Sequence, residues 1–156
     1  MVAFAAVLHA RAMRPTFHYR VAQRVHVAVH GQDSPRDDEW SAYLADIAAH
    51  LSRIDALWVV THGGNLSTEQ RRQSVDFWRA SPKQPRIAIV TPSRLVVRVS
   101  GALRWFMPSQ IKAFLPQQAE DAYTYLGLDG GRRRAVAAAV EELSAQLPSG
   151  VGRPAG

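Results

Sequence analysis

Two short apolar runs, Ala56-Leu57-Trp58-Val59-Val60-Thr61 and Arg86-Ile87-Ala88-Ile89-Val90, are each followed by a signal that starts a helix. A run of this length without polar alternation suits a strand covered on both faces, so the chain is predicted to build a parallel sheet with helices packed on it. The connections agree. Gly63-Gly64-Asn65 breaks the earlier run, and Ser67 with Gln70 three residues later has the form of a capping box opening a helix to about Ala80. Pro82 and Pro85 end that helix. After the later run, Thr91 as cap and Pro92 at the first helical position open another, with Leu95, Val99, Ala102, Leu103 and Phe106 as its buried stripe.

The flanking segments extend this pattern. Between Tyr19 and His30 a period-2 pattern puts Tyr19, Val21, Val25, Val27 and Val29 on one side and Arg20, Arg24, His26 and His30 on the other, interrupted at Gln23. That predicts a half-buried strand or hairpin. The turn-rich Asp33-Ser34-Pro35-Arg36-Asp37-Asp38 precedes a helix whose stripe is Trp40, Tyr43, Leu44, Ile47, Leu51 and Ile54, and its acids suit the positive end of the helix dipole. Pro108 stops the helix before it, residues 111–115 read as a strand, and 117–126 as a short helix ended by Gly127. After Gly130-Gly131 a last helix reaches about Leu147, with Val136, Val140, Leu143 and Leu147 on one side.

At 156 residues the chain has room for one domain of common size. We expect an α/β domain over residues 16–147, with a mostly parallel central sheet of about four to five strands. Residues 1–15 are read as an N-terminal extension and 148–156 as a disordered tail. The hydrophobic fraction of 47% and the charged fraction of 21% speak against disorder. Cysteine is absent, which removes disulfides, thiolate metal sites and a cysteine nucleophile. No apolar stretch approaches the ~20 residues of a membrane span, and the first twelve residues lack a basic signal-peptide region, so a cytoplasmic location is expected.

The net charge of +6 could attract nucleic acid or an anionic surface. Its make-up points elsewhere. All but two of the nineteen cations are arginine and alanine is abundant, the signature of a GC-rich bacterial genome. The basic clusters are Arg71-Arg72, Arg94 with Arg98, Arg104, and Arg132-Arg133-Arg134; Trp105 and Phe106 lie near them, but aromatics beside arginine at helical spacing are more often core and solvated rim than a base-stacking platform, and nucleic acid is not the expected partner.

Catalytic chemistry finds no constellation. His26, His30 and His62 lack a third ligand at fixed spacing, so no metal is expected and the histidines are read as solvent-facing or at the core edge. The carboxylates sit at helix starts (Asp37, Asp38, Glu39) or on solvent faces (Glu69, Glu120, Asp121, Glu141, Glu142) without forming an acid/base pair. No G-x-S-x-G elbow is present, and Gly63-Gly64-Asn65 matches neither nucleotide-binding glycine pattern. The expected protein is not an enzyme and carries no cofactor.

The run Arg86-Ile87-Ala88-Ile89-Val90-Thr91-Pro92-Ser93, then Gly101-Ala102-Leu103-Arg104-Trp105-Phe106, Ile111-Lys112-Ala113-Phe114 and Glu120-Asp121-Ala122-Tyr123-Thr124-Tyr125-Leu126-Gly127, resembles the STAS domain of bacterial anti-sigma-factor antagonists, especially the SpoIIAA-like subgroup. The likeness extends over about 70 residues, from about Leu57 to Leu128. It implies an α/β fold and a regulatory, protein-binding role. In that family a phosphorylatable residue sits in a D-[ST]-[ST]-G turn; the equivalent turn here reads Thr61-His62-Gly63-Gly64-Asn65-Leu66-Ser67-Thr68, without the aspartate or its adjacent hydroxyl residue. Ser67 or Thr68 could still take a phosphate at the helix start, with Arg71 and Arg72 one turn on.

Two functions are therefore expected of this sequence. One is a non-enzymatic interaction module using His62, Gly63, Gly64, Asn65, Ser67, Thr68, Arg71 and Arg72 as its contact or switch surface for another protein. The other, suggested by the broad fold shared with lipid-carrying CRAL-TRIO domains, is a carrier or sensor of a small apolar or anionic ligand held between the sheet and residues 95–106.

Overall fold

In the computed structural model, which describes residues 14–94 and 110–148, the chain forms a five-stranded sheet whose strand order follows the sequence. β1 (Phe17–Ala22) and β2 (Val25–His30) are an antiparallel hairpin, and β3 (Ala56–Thr61), β4 (Arg86–Val90) and β5 (Ile111–Phe114) continue from β2 in parallel. The sequence left strand or hairpin open here; the structure is a hairpin. Gln23 and Arg24 at its turn take positive φ angles of 43° and 69°, a geometry that usually selects Asn-Gly. Side-chain bonds hold it in place: Arg24 grips Asp55 through Nε and Nη2, both at 2.9 Å, and Arg132 Nε donates to the Gln23 carbonyl.

β3 and β4 are adjacent and parallel as expected, with Leu57 opposite Ile87 and Trp58 opposite Ala88. In β3 the first half is buried and Val59 to Thr61 are half-buried; in β4 Ile87, Ala88 and Val90 are buried, Ile89 is half-buried and Arg86 is exposed. β2 is buried at every position, because helices cover both of its faces. Val25, Val27 and Val29 join Trp58, Val90 and Phe114 in a core closed by α3 (Ala119–Leu126) and α4 (Gly130–Ala145). Ala28 joins Phe17, Leu57, Ile87 and Ile111 in a second core under α1 (Asp37–His50) and α2 (Thr68–Ala80).

α1 buries Trp40, Tyr43, Leu44 and Ile47, each worth about 2 kcal/mol of transfer free energy. The predicted stripe ran on through Leu51 and Ile54. Those two are buried, but the helix stops at His50, and Leu51 enters a 3-10 turn (Leu51–Arg53) that redirects the chain into β3. The predicted 111–115 strand ends at Phe114, and a 3-10 turn (Pro116–Gln118) precedes α3. Gly127 ends α3 in the left-handed conformation, φ 68°, with its N–H returning to the Thr124 carbonyl and that of Leu128 to Tyr123. Asp129, whose Oδ1 accepts from the Arg132 N–H, caps α4.

The predicted 95–106 helix, the N-terminal extension up to residue 13 and the tail from 149 lie outside the described residues. Among the described residues no helix is long and apolar enough to cross a membrane.

Candidate functional site

Because β2, β3 and β4 run parallel, their carboxyl ends at His30, Thr61 and Val90 lie along one edge. The connections that leave there are residues 31–36, 62–67 and 91 onward. This is the edge at which open α/β sheets bind ligands. It also carries every site residue expected from the sequence.

The 62–67 connection lies against the 31–36 connection. His62 N–H donates to the His30 carbonyl and Gly64 N–H to the Gly31 carbonyl, each at 3.3 Å. At Gly64 a Cβ would fall inside contact distance of the Asp33 carbonyl, so the backbones approach as closely as only glycine allows. Gly63 takes φ +123°, a conformation that L side chains rarely adopt. Both glycines therefore have structural reasons to be where they are.

Ser67 caps α2 as expected: its Oγ accepts from the Gln70 N–H at 3.1 Å, and Gln70 Oε1 accepts from the Ser67 N–H at 3.1 Å. Gln70 does more than complete the box. Its side chain is buried, and its Nε2 donates to the Pro35 carbonyl at 2.8 Å and to Asp37 Oδ1 at 2.9 Å. One amide thus ties the 62–67 loop, the 31–36 loop and the start of α1. Ser74, one turn further on, donates to the Gln70 carbonyl and accepts from Trp40 Nε1.

A second knot lies beside it at Glu39. One carboxylate oxygen accepts from the Thr16 N–H at 2.7 Å; the other accepts from Thr16 Oγ1 at 2.8 Å and from the Arg36 N–H at 3.0 Å. Sequence reasoning placed Glu39 only as an acid at a helix start and Gln70 only as half of a capping box. Their long-range partners have no local signal.

Above this suture the remaining side chains face water. His62, Asn65, Ser67, Thr68, Arg71 and Arg72 are exposed. The two arginines expected to receive a phosphate already have partners. Arg71 donates from Nε and Nη2 to the Leu66 carbonyl, and Arg72 bonds Glu69 and Asp76, which holds the Glu69 carboxyl below its ordinary range.

The histidines need a correction. His26 and His30 are not at the solvent or the core edge; they are buried on the α1 face of β2, and of the three only His62 is exposed. The alternation set them opposite Tyr19 and Val21 as well as Val25, Val27 and Val29 and assumed a solvent face; the hairpin turn at Gln23-Arg24 instead brings Tyr19 and Val21 to the same face as His26 and His30, and α1 covers it. His30 stacks on Phe17 with ring centres 4.4 Å apart, and Trp40 and Tyr43 close around it. Burial lowers its pKa to about 4. His26 donates from Nε2 to Asp46 Oδ2 at 2.8 Å, and His50 Nδ1 donates to the Asp46 carbonyl. Burial lowers the pKa of His26, with the Asp46 bond opposing it. Among the described residues no cluster of three or more His, Asp or Glu could hold a metal ion.

Comparison with protein-family models, with curated proteins and with solved structures finds no match to this chain.

Proposed function

We propose that this protein is a non-enzymatic interaction module of STAS type that presents the 62–68 loop and the first turn of α2 to a protein partner. The observation that carries the reading is the contrast in that loop: exposed recognition groups stand on a backbone sutured from beneath by Gln70 and Gly64. A surface fixed in this way loses little conformational entropy on binding. The carboxylates beneath it, Glu39 and Asp37, are occupied by Thr16, Arg36 and Gln70, which suits a scaffold better than proton transfer. A single α/β domain with a mostly parallel five-stranded sheet is compatible with this reading.

Ser67 is the position at which structure and recognition separate. Asp caps a helix as well as Ser does, whereas Ala removes the bond to the Gln70 N–H and is expected to cost about 1 kcal/mol. The test compares melting temperature and partner recovery from native cells for Ser67→Asp, Ser67→Ala and wild type. The expected result is that Asp melts with wild type yet loses or exchanges partners, because it adds a full negative charge to the contact surface. Ala is expected to melt lower and keep the same partners. Identical recovery by all three proteins would remove the loop from the functional account.

A further inference from the structure

β1 is the last strand on its side of the sheet, and among the described residues no strand pairs with its outer edge. The direction of its backbone groups follows from β2. Gly31 N–H donates to the Thr16 carbonyl, whereas the Arg24 and His30 carbonyls accept from Asp55 and His62 on the β3 side. Antiparallel pairs alternate between hydrogen-bonded and non-bonded, so His18, Arg20 and Ala22 exchange bonds with Val29, Val27 and Val25, and the N–H and carbonyl groups of Phe17, Tyr19 and Val21 point away from the sheet. Among the described residues these outward groups meet one donor, Arg20 Nη1 at 3.5 Å from the Val21 carbonyl, which leaves that oxygen a second lone pair. Edge strands are usually blunted by proline, free charge or a bulge. β1 carries no such device: its pairing with β2 runs from Phe17 to Ala22 without interruption, and its one fixed cation, Arg20, is bound to Glu142 of α4 at 2.8 Å.

We infer that β1 pairs with β1 of a second copy of this chain, antiparallel about a twofold axis at Tyr19, so that two five-stranded sheets become one. This register uses every outward group: Tyr19 exchanges bonds with Tyr19 of the second copy, and Phe17 with its Val21. An axis at His18 would set Val21 against Pro15, which has no N–H, and one at Arg20 would set Phe17 against Gln23 in the turn. The side chains match on both faces. On the α1 side Phe17 meets Val21 and the two Tyr19 rings meet each other, extending an aromatic cluster in which Tyr19 lies 5.6 Å from Phe17 and 5.2 Å from Tyr43. Tyr19 and Val21 are half-buried in the single chain, and pairing removes more of their apolar surface from water. On the α4 side His18 stands opposite Arg20 of the second copy, whose charge is answered by Glu142, so the strand brings its own counter-charge into the contact. A strand of another protein would make the same backbone bonds; the match of 17 with 21 and of 18 with 20 is what selects a second copy. This contact goes beyond the proposed interaction loop and does not depend on it, because residues 62–68 lie at the carboxyl ends of the strands and not along β1.

Sedimentation equilibrium of the full chain from micromolar to submillimolar concentration tests the pairing, read against the 17.2 kDa of one copy. The expected result is a reversible dimer. His18→Lys sets a lysine opposite Arg20 in each half of the contact and should weaken the dimer roughly tenfold, whereas His18→Glu answers Arg20 with a carboxylate and should bind at least as tightly as wild type. The chain has no cysteine, so Tyr19→Cys places a single thiol at the axis, with the two Cα atoms about 5.5 Å apart and within disulfide range. Mild oxidation should convert it to a covalent dimer, while Ala137→Cys, exposed on α4, should remain uncrosslinked. Circular dichroism checks the fold of each variant, the His18 pair carries the test should Tyr19→Cys fail to fold, and Ser67→Asp should leave the dimer unaltered. Equal dimer affinity in wild type and His18→Lys, equal weakening by Lys and Glu, or cross-linking at 137 as fast as at 19 would overturn the inference. A monomer at every concentration would overturn it too: protected Tyr19 and Val21 amides would then assign the edge to another segment of this chain, and freely exchanging ones would leave it to a different protein.

Discussion

Gln70→Ala should lose about 3 kcal/mol of folding free energy, and its melting temperature should fall by roughly 10 °C. The loss has identifiable parts. Removing the amide leaves the Pro35 carbonyl and Asp37 Oδ1 without the donor they share, and leaves the Ser67 N–H without its acceptor. Of these the Pro35 carbonyl is buried, and a buried polar group stripped of its partner costs about 1–3 kcal/mol; a cavity adds to that, while Asp37 and Ser67 are exposed enough for water to replace their lost bonds at smaller cost. Gln70→Glu separates hydrogen bonding from packing, because it keeps the shape while turning an oxygen toward the Pro35 carbonyl and the Asp37 carboxylate. It should be destabilised at least as strongly as Ala at neutral pH. Urea denaturation of the three proteins checks both, and a Gln70→Ala stability within 1 kcal/mol of wild type would show that the amide does not tie the loops together.

The second large effect concerns pH. His30 has a native pKa of about 4 because its ring is enclosed by Phe17, Trp40 and Tyr43, with Glu39 opposing the shift only weakly. Between pH 4 and the ordinary histidine value near 6.5, the unfolded chain binds a proton that the native chain rejects. Stability therefore rises with pH through that window and is lost as pH falls through it, by about 3 kcal/mol for this one group. His26, lowered in the same direction, adds to the trend in the wild type. His30→Phe isolates the contribution, since it preserves an aromatic ring against Phe17 and cannot titrate. The stability difference between wild type and His30→Phe should shift in favour of wild type by about 3 kcal/mol from pH 4 to pH 7. A difference that stays flat over that range would mean that His30 takes up its proton in the native state without penalty.

The contrast between His30 and Ser67 shows what the sequence could and could not convey. The Ser67–Gln70 box, Gly127 and the β3 and β4 runs were legible, because each is a local arrangement whose chemistry is complete within a few residues. The β1–β2 turn was half legible: the break at Gln23 was visible, but Gln-Arg lacks the glycine or asparagine that marks a tight turn, and its stabilising partners Asp55 and Arg132 lie far along the chain. His26 and His30 were misplaced because period-2 alternation identifies two faces without saying whether a helix covers the second. The need for glycine at position 64 was hidden for a similar reason, since the obstacle is the Asp33 backbone, which arrives from another connection. The 62–67 loop was thus legible as a glycine turn running into a helix cap, while what holds it in place was not.

Native-state hydrogen exchange at the amides of Gly31, His62 and Gly64 tests most directly whether the carboxyl edge is a preformed platform. Gly31 N–H bonds the Thr16 carbonyl, and His62 and Gly64 bond His30 and Gly31 across the two connections. If the loops are one folded unit with the sheet, these amides exchange slowly, with opening free energies close to that of the β2 core, and Gln70→Ala lowers all of them together. Exchange near the unprotected rate in the wild type, or protection unchanged in Gln70→Ala, would contradict the account and make the edge a loop without fixed form.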